Sequence, residues 1–157
     1  MRMKRTRPTV ADGQRALRAH AAGRAELARQ RYGPVIDYPA MLKIIEDRAI
    51  VRHPVEIRFD AAPLEPGEFA CAAPRGEQAH EGFRLFVHPR FRARPEALPL
   101  LIAYHLVRVN YGAVATCEHA EVFGATLLGM TRNEYYEKLC ALADEIPVEQ
   151  PASTRGW

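Results

Sequence analysis

Two histidines in the C-terminal half of the chain lie close to further side chains that can bind a metal ion. His119 follows His105 after fourteen residues, and Cys117, Glu118 and Glu121 flank the second histidine. Imidazole nitrogen, thiolate sulfur and carboxylate oxygen are donors that bind Zn²⁺ in proteins. The spacing differs from the i, i+4 pair through which one helix presents two histidines to zinc. Two interpretations stay open: a zinc site drawn from these residues, or histidines that are satisfied by hydrogen bonds within the core.

Three stretches around these histidines resemble the ImmA/IrrE-like minimal zincins, a family of small metallopeptidase domains. Residues 83–87 (FRLFV) resemble the edge strand of that family, and the HPRF that follows resembles the segment with which its chain leaves that strand. Residues 100–105 (LLIAYH) resemble the approach to its HExxH helix, and residues 119–128 (HAEVFGATLL) resemble the helix that supplies its third zinc ligand. The resemblance covers residues 38–142 and implies a zincin-like fold, in which the metal site lies between two helices.

The resemblance stops short of the catalytic residues. His105 occupies the position of the first zinc ligand, but Leu106 replaces the general base and Val109 replaces the second histidine. His119 stands where the family has its third ligand, normally Glu. Because leucine cannot activate water, we expect no zinc peptidase activity and assign no catalytic residue. The resemblance implies a pseudo-metallopeptidase that acts as a binding or regulatory module. No cofactor is expected, and zinc is the only cofactor that the remaining donor side chains suit.

Residues 118–142 also resemble the helix-turn-helix of Fis-type DNA-binding domains. Gly129 stands at the position of the tight turn, and Thr131, Arg132 and Asn133 would begin a recognition helix and face the bases. A DNA-binding regulator that combines this element with a basic N-terminal arm is therefore an alternative function. An atypical metal-dependent hydrolase, with a nearby glutamate as its base, is another.

The charge of the C-terminal half is unfavourable for DNA binding. Residues 105–150 contain three Arg or Lys side chains and seven carboxylates, a balance of −4. Glu134 and Glu137 lie on the helix that would enter the groove. Since neutralisation of phosphates supplies most of the affinity for DNA, an ordinary helix-turn-helix corner in a packed domain is the competing interpretation.

The positive charge of the chain is concentrated at its N-terminus. Residues 1–31 carry nine Arg or Lys side chains against Asp12 and Glu26, so the local balance is +7. Residues 1–8 are predicted as a disordered basic lead. Residues 11–31 favour helix by composition, but they have few large apolar side chains, so a solvated helix, a partner-induced helix and disorder all remain open for them. The candidates for contact with nucleic acid or an acidic protein surface are Arg2, Lys4, Arg5 and Arg7. Without interleaved aromatic residues, base stacking is not indicated, and a solvated tail is the alternative.

Apolar periodicity predicts the elements that would position these residues. Residues 55–59 and 83–87 alternate apolar with polar side chains, as half-buried strands do, and residues 69–73 are predicted as a third strand. Helical periodicity is found in four further segments, namely 39–50, 95–110, 117–128 and 132–143. Because the connections are too short for helical crossovers, a mostly antiparallel sheet is expected.

These elements predict an α+β fold in three parts. Residues 1–34 are expected to form a basic arm that is partly disordered or helical, residues 35–146 a single zincin-like domain, and residues 147–157 a loose tail. Within this order, the N-terminal helix or helices precede a short three-stranded, mostly antiparallel sheet, and three helices follow it. The length is ordinary for one domain with its own core.

The remaining composition suggests a cytoplasmic protein. No apolar segment is long enough to span a bilayer, and no secretory signal follows the basic start. Cys71, Cys117 and Cys140 are an odd number without paired spacing, as expected for reduced thiols. Cys71 and Cys140 are predicted core residues, and Cys117 is the thiol to test for reactivity. We expect a protein partner, with nucleic acid possible through the arm and self-association left open.

Overall fold

The computed structural model describes residues 9–147, and the predicted basic lead at 1–8 and most of the predicted tail (148–157) lie outside them. The chain begins with helix α1 (Val10–Tyr32), which a capping box between Thr9 and Asp12 starts. Helix α2 (Tyr38–Glu46) starts at Asp37, whose side chain accepts from the Ala40 N–H. It is shorter than the predicted 39–50, because the chain leaves helical geometry at Asp47.

The three predicted strands are present as β1 (Val55–Phe59), β2 (Ala70–Pro74) and β3 (Phe83–Val87). Their order in the sheet is β1-β3-β2, with β3 parallel to β1 and antiparallel to β2. The expectation of a mostly antiparallel sheet is therefore wrong for the β1–β3 pair. The connection from β1 to β3 contains β2 in place of a helix, and this arrangement puts the strand with buried Leu85 and Val87 in the centre.

Three helices follow the sheet, as predicted. Helix α3 (Leu98–Tyr111) begins later than expected, with Pro99 rather than Pro95 in its first turn. Helix α4 (Cys117–Leu128) has the predicted bounds, and α5 (Arg132–Asp144) is one residue longer than predicted. The α+β class and the order helix, sheet, helix are confirmed. None of the described helices combines the length and the apolar composition needed to cross a membrane.

Helix α1 is part of the packed structure. Ala21, Ala25 and Ala28 are buried, and α1 packs mainly against α4 and to a smaller extent against α2. Small side chains let two helix backbones approach closely, so a segment almost without large apolar residues still covers core surface. A solvated helix, a partner-induced helix and disorder were left open for residues 11–31. In the structure these residues form a helix that is docked on the rest of the chain.

Helix α3 is the central element of the core. It contacts β2 and β3 on the sheet as well as α2, α4 and α5, and Leu101, Ile102 and Leu106 are fully buried. Near its C-terminal end, the buried amide of Asn110 donates to Ile50 O (2.8 Å) and accepts from the Arg52 N–H (2.9 Å). These bonds satisfy the amide and fix the chain that leads into β1.

Candidate functional site

A cleft of about 390 Å³ lies between the sheet edge and the three C-terminal helices, and we call it the His105 cleft. Its lining comes from residues 67–70 and from α3, α4 and α5, and it includes Phe69, Tyr104, Cys117, Glu121, Tyr136 and Cys140. A neighbouring cavity of about 260 Å³ has Glu68, Tyr104, His105 and Cys117 in common with it. These four residues therefore lie where the two hollows meet.

His105 is held in the cleft wall by aromatic contacts. Its ring lies edge-on to Tyr104 and Phe69, with centroid distances of 5.4 and 6.1 Å. Its Nε2 is covered and has no hydrogen-bond partner among the described residues. Burial, together with the charge of Arg108, lowers the pKa of His105 from 6.5 to about 4. At neutral pH the ring is therefore uncharged, with hydrogen-bonding capacity that the protein leaves unused.

His119 lies elsewhere, in the interface between α4 and α1. Its Nδ1 accepts from the Thr116 N–H at 3.0 Å, and its Nε2 is 3.2 Å from the carbonyl oxygen of Gln14. This pairing fixes the tautomer, because an accepting Nδ1 leaves the proton on Nε2, which donates to Gln14. Both nitrogens are thus used in hydrogen bonds within the protein. His119 does not line the His105 cleft.

The acidic candidates for metal binding form ion pairs. Glu118 pairs with Arg18 at 2.9 Å and with Arg132 at 3.6 Å, and Glu121 pairs with Arg132 at 3.1 Å. Of the five candidate ligands, the cleft brings together His105, Cys117 and Glu121. Across residues 9–147, no group of three or more His, Cys, Asp or Glu side chains is arranged to hold a metal ion. The zinc site stays a prediction that this geometry does not favour.

The predicted helix-turn-helix corner is formed by α4, Gly129 and α5. Gly129 has φ = 70°, a left-handed conformation that suits glycine. The side chains expected to face DNA are engaged within the corner: Thr131 Oγ accepts from the Glu134 N–H, and Asn133 bonds Glu137. With Arg132 paired to carboxylates, these contacts favour a structural role for the corner.

Three arginines of α1, at positions 18, 29 and 31, bind the rest of the protein. Arg18 pairs with Glu118, and Arg31 pairs with Asp47 at 2.8 Å. Arg29 donates to the carbonyl of Leu127 at the C-terminal end of α4, where a helix favours a cation. These contacts pair cations of α1 with acidic side chains and a helix C-terminus in the rest of the described chain. The candidate residues Arg2, Lys4, Arg5 and Arg7 lie outside the described residues.

The feature that sequence reasoning missed is the open edge of β2. His88 N–H donates to Phe69 O and Arg75 N–H donates to Gly82 O, so alternation along the strand directs the odd-numbered residues toward β3. Ala70 and Ala72 therefore direct their N–H and C=O groups away from β3. Within residues 9–147 no strand pairs with this edge. Local pattern cannot identify such an edge, because it depends on the order of the strands.

A larger hollow of about 620 Å³ lies beside residues 34–39 and the start of α3. Its lining is mostly proline and aliphatic and contains neither histidine nor cysteine. The His105 cleft is smaller, but it combines an imidazole whose Nε2 has no partner among the described residues, two thiols and an open strand edge. We therefore take the His105 cleft as the candidate site.

No family model, no curated protein and no solved structure matches this chain. Its function is therefore argued from the site. The likeness to minimal zincins rests on the residues quoted above, and we carry it forward as a proposal.

Proposed function

We propose that this chain is a non-catalytic, zincin-like binding module that holds an extended polypeptide segment against the open edge of β2. The observation that carries the proposal is the position of this edge beside the His105 cleft. An added strand would pair with the free backbone groups of Ala70 and Ala72. Every second side chain of that strand would face the same side, so one of them could enter the cleft.

The lining of the cleft indicates what such a side chain would be. Phe69, Tyr136 and Leu139 give it a mainly apolar wall, and His105 adds an uncharged polar group. An aliphatic or aromatic side chain would bury apolar surface there, at about 25 cal/mol for each Å² removed from water. An anionic side chain would lose its hydration without gaining an ionic partner, because His105 is uncharged and the lining also contains the acidic residues Glu68 and Glu121.

Binding without hydrolysis is supported by the residues that replace the catalytic ones. Leu106 and Val109 are both buried in the core. Neither can bind a metal or take a proton from water. In the region that resembles a peptidase, α3 therefore supplies packing together with one histidine.

The test is a selection of peptides from a random peptide display library on the full chain, followed by affinity measurements on an Ala72→Pro variant. Proline removes the N–H that points away from β3, and an edge strand tolerates proline at such a position. We expect selected peptides to lose about tenfold or more in affinity, as one missing backbone hydrogen bond can produce. Ala72→Ser keeps the N–H and serves as the matched control.

Two results would count against the proposal. The first is that no peptide is selected, or that the selected peptides bind wild type and Ala72→Pro equally while both proteins keep the same thermal unfolding curve. The second is cleavage of the selected peptides in the presence of zinc, which would revive the metal-dependent hydrolase.

A further inference from the structure

Cationic side chains from separate parts of the chain meet around Tyr111, at the C-terminal end of α3. On α1, His20 Nδ1 lies 2.7 Å from the hydroxyl oxygen of Tyr111, and the Arg24 guanidinium lies over the tyrosine ring, with Cζ 5.6 Å from the ring centroid. The backbone N–H of Arg52 donates to Asn110, the residue before Tyr111. Together with two neighbours of Arg52, these side chains form what we call the Tyr111 basic surface: His20, Arg24, Arg48, Arg52 and His53.

The charged neighbours of Tyr111 and His53 are all cationic. Burial raises the pKa of Tyr111, and the two charged groups that act on it are Arg24 and Arg52, each of which lowers it. Burial lowers the pKa of His53, and Arg52 with two further cationic neighbours lowers it more. Arg52 acts on both rings, so it connects the α1 side of the surface with the segment that precedes β1. No carboxylate of residues 9–147 is among these charged neighbours, so the positive potential is not cancelled locally.

The arginines of this surface have no acidic partner. Within residues 9–147, Arg24, Arg48 and Arg52 form no ion pair, whereas Arg18 and Arg31 of α1 each pair with a carboxylate, at 2.9 and 2.8 Å. Arg48 and Arg52 are exposed, and Arg24 is half-buried. Like charges that lie together without counter-charges repel one another and destabilise the compact state. An anion bound across the three arginines would remove this repulsion.

Contacts with neutral groups hold these arginines in place without cancelling their charge. Arg24 lies on Tyr111, and its covered Nη1 has no hydrogen-bond acceptor in the described part of the chain. Arg48 donates to the carbonyl oxygen of Ile45 at 2.9 Å. The C-terminal end of α3 also favours a cation, but a helix terminus carries only about half an elementary charge, which is less than one of the three arginines brings. The local structure therefore positions the cations and leaves most of their charge for a ligand.

The shape of the surface favours an extended anion over a small one. None of its five side chains lines the three hollows described above, and together they extend from α1 to the segment before β1. A protein interface usually has an apolar centre, but here the ring of Tyr111 is covered by Arg24. The planar fork of arginine matches the oxygens of a phosphate. A nucleic-acid backbone offers many such phosphates in a row, and it binds basic surfaces without an apolar contact.

We propose that the Tyr111 basic surface binds the phosphate backbone of a nucleic acid without reading its base sequence. Arg24, Arg48 and Arg52 contact phosphate oxygens, and the exposed ring of His20 lies beside them. Because Arg24 covers the ring of Tyr111, that ring cannot stack on a base, so the affinity depends on charge and falls with salt. None of these side chains lines the His105 cleft, so this binding does not rest on the binding of a peptide there.

The test is a titration of the full chain into a labelled random-sequence DNA duplex, and into a single-stranded RNA of the same length, followed by fluorescence anisotropy. Salt is varied from about 50 to about 200 mM. The variant to compare with wild type carries Arg24→Gln, Arg48→Gln and Arg52→Gln. We expect it to bind the duplex about tenfold more weakly or worse, and its slope of log K against log salt to be smaller by about 3, one unit for each lost phosphate contact. Binding of either nucleic acid supports the shared phosphate chemistry, and the tighter of the two identifies the class.

The matched control removes the same net charge from other parts of the chain. Arg58→Gln, Arg90→Gln and Arg132→Gln replace three exposed arginines, each of which forms an ion pair with a carboxylate. At about 100 mM salt, exposed charges that are more than about 10 Å apart are largely screened from one another, so the control should bind nearly as tightly as wild type. Thermal unfolding curves of the three proteins show whether each variant is folded.

Three results would overturn the proposal. The first is that wild type binds neither nucleic acid at about 50 mM salt, where charge-driven binding is strong. The second is that the variant without the three arginines binds as tightly as wild type, which would assign the binding to other cations of the chain. The third is displacement of the duplex by polyglutamate as effectively as by unlabelled DNA of equal charge, which would indicate an acidic protein as the partner. Should the triple variant fail to fold, Arg52→Glu reverses one exposed charge, leaves Arg24 on Tyr111, and decides by the same comparison.

Discussion

His119 connects α4 to α1 through a hydrogen bond from its Nε2 to the carbonyl oxygen of Gln14, at 3.2 Å. The same ring caps the start of α4 through Nδ1, which accepts from the Thr116 N–H. One buried histidine thus satisfies a helix N-terminus and joins two helices. Its role is structural, although its position in the sequence resembles that of a metal ligand.

Replacement of His119 by glutamine separates these two contributions. Glutamine at this position keeps the capping box but loses the bond to Gln14, so we expect the free energy of unfolding to fall by about 1 kcal/mol. The His119→Ala variant loses both the cap and the bond to Gln14, and its free energy of unfolding should be lower by about 2 kcal/mol. Urea denaturation measures the change, with the exposed His80→Ala as control. Zinc should not raise the melting temperature of the wild type; zinc stabilisation that disappears in His119→Gln would contradict this prediction.

The sequence predicts the local elements of this fold well and their partners poorly. The bounds of β1, β3 and α4 follow from alternation and from a helix start signal, which act over a few residues. The insertion of β3 between β1 and β2 depends on which faces are buried together. No short sequence pattern encodes that choice, so neither the parallel pairing of β1 with β3 nor the open edge of β2 could be predicted from the sequence.

The candidate site shows the same division. Sequence pattern identified His105 and Cys117, which share the cleft, but it also grouped them with His119, which faces α1. Two side chains close in sequence can lie on different faces of one helix. For α1, the scarcity of large apolar residues obscured an interface built from alanine, where close approach replaces side-chain volume.

The imidazole of His105, which is half-buried with its Nε2 covered, makes stability depend on pH. Its pKa is about 4 in the folded protein and 6.5 in an ordinary environment. As pH falls, the unfolded chain therefore binds the proton first. The contribution of His105 is fully present above pH 6.5 and is lost as pH falls toward 4, a change of about 3 kcal/mol. The free energy of unfolding, measured from about pH 7 to about pH 4.5, should fall less steeply in His105→Leu than in wild type.

The control for His105→Leu is the exposed His80→Ala variant, which should follow the wild-type pH dependence. Carboxylates also titrate in this range, so the difference between the curves is the informative quantity. Parallel curves for wild type and His105→Leu would mean that the ring is more hydrated than its covered Nε2 indicates.

Gly124 allows α5 to approach α4 at the ring of Tyr135. A Cβ atom at Gly124 would lie 2.2 Å from Cζ of Tyr135, a fully buried side chain whose hydroxyl donates to Leu100 O at 2.7 Å. We therefore expect Gly124→Ala to lower the free energy of unfolding by about 2–3 kcal/mol, in spite of the better helix propensity of alanine. Gly23→Ala in α1, where an added Cβ would meet nothing within 4 Å beyond its chain neighbours and its own helix backbone, should raise the free energy of unfolding by about 0.5–1 kcal/mol. Equal effects of the two substitutions in urea denaturation would remove the assigned reason for Gly124.

The docking of α1 predicts that a larger side chain in its buried face is costly. Ala25 is fully buried on the face that packs against α4 and α2, whereas Ala19 of the same helix is exposed. Ala25→Leu adds volume where the helices are in close contact, so the free energy of unfolding should fall by about 1–3 kcal/mol. Ala19→Leu makes the same chemical change in solvent and should alter it by less than about 0.5 kcal/mol. Urea denaturation followed by circular dichroism measures both, and if Ala25→Leu is as neutral as Ala19→Leu, α1 is a solvated arm.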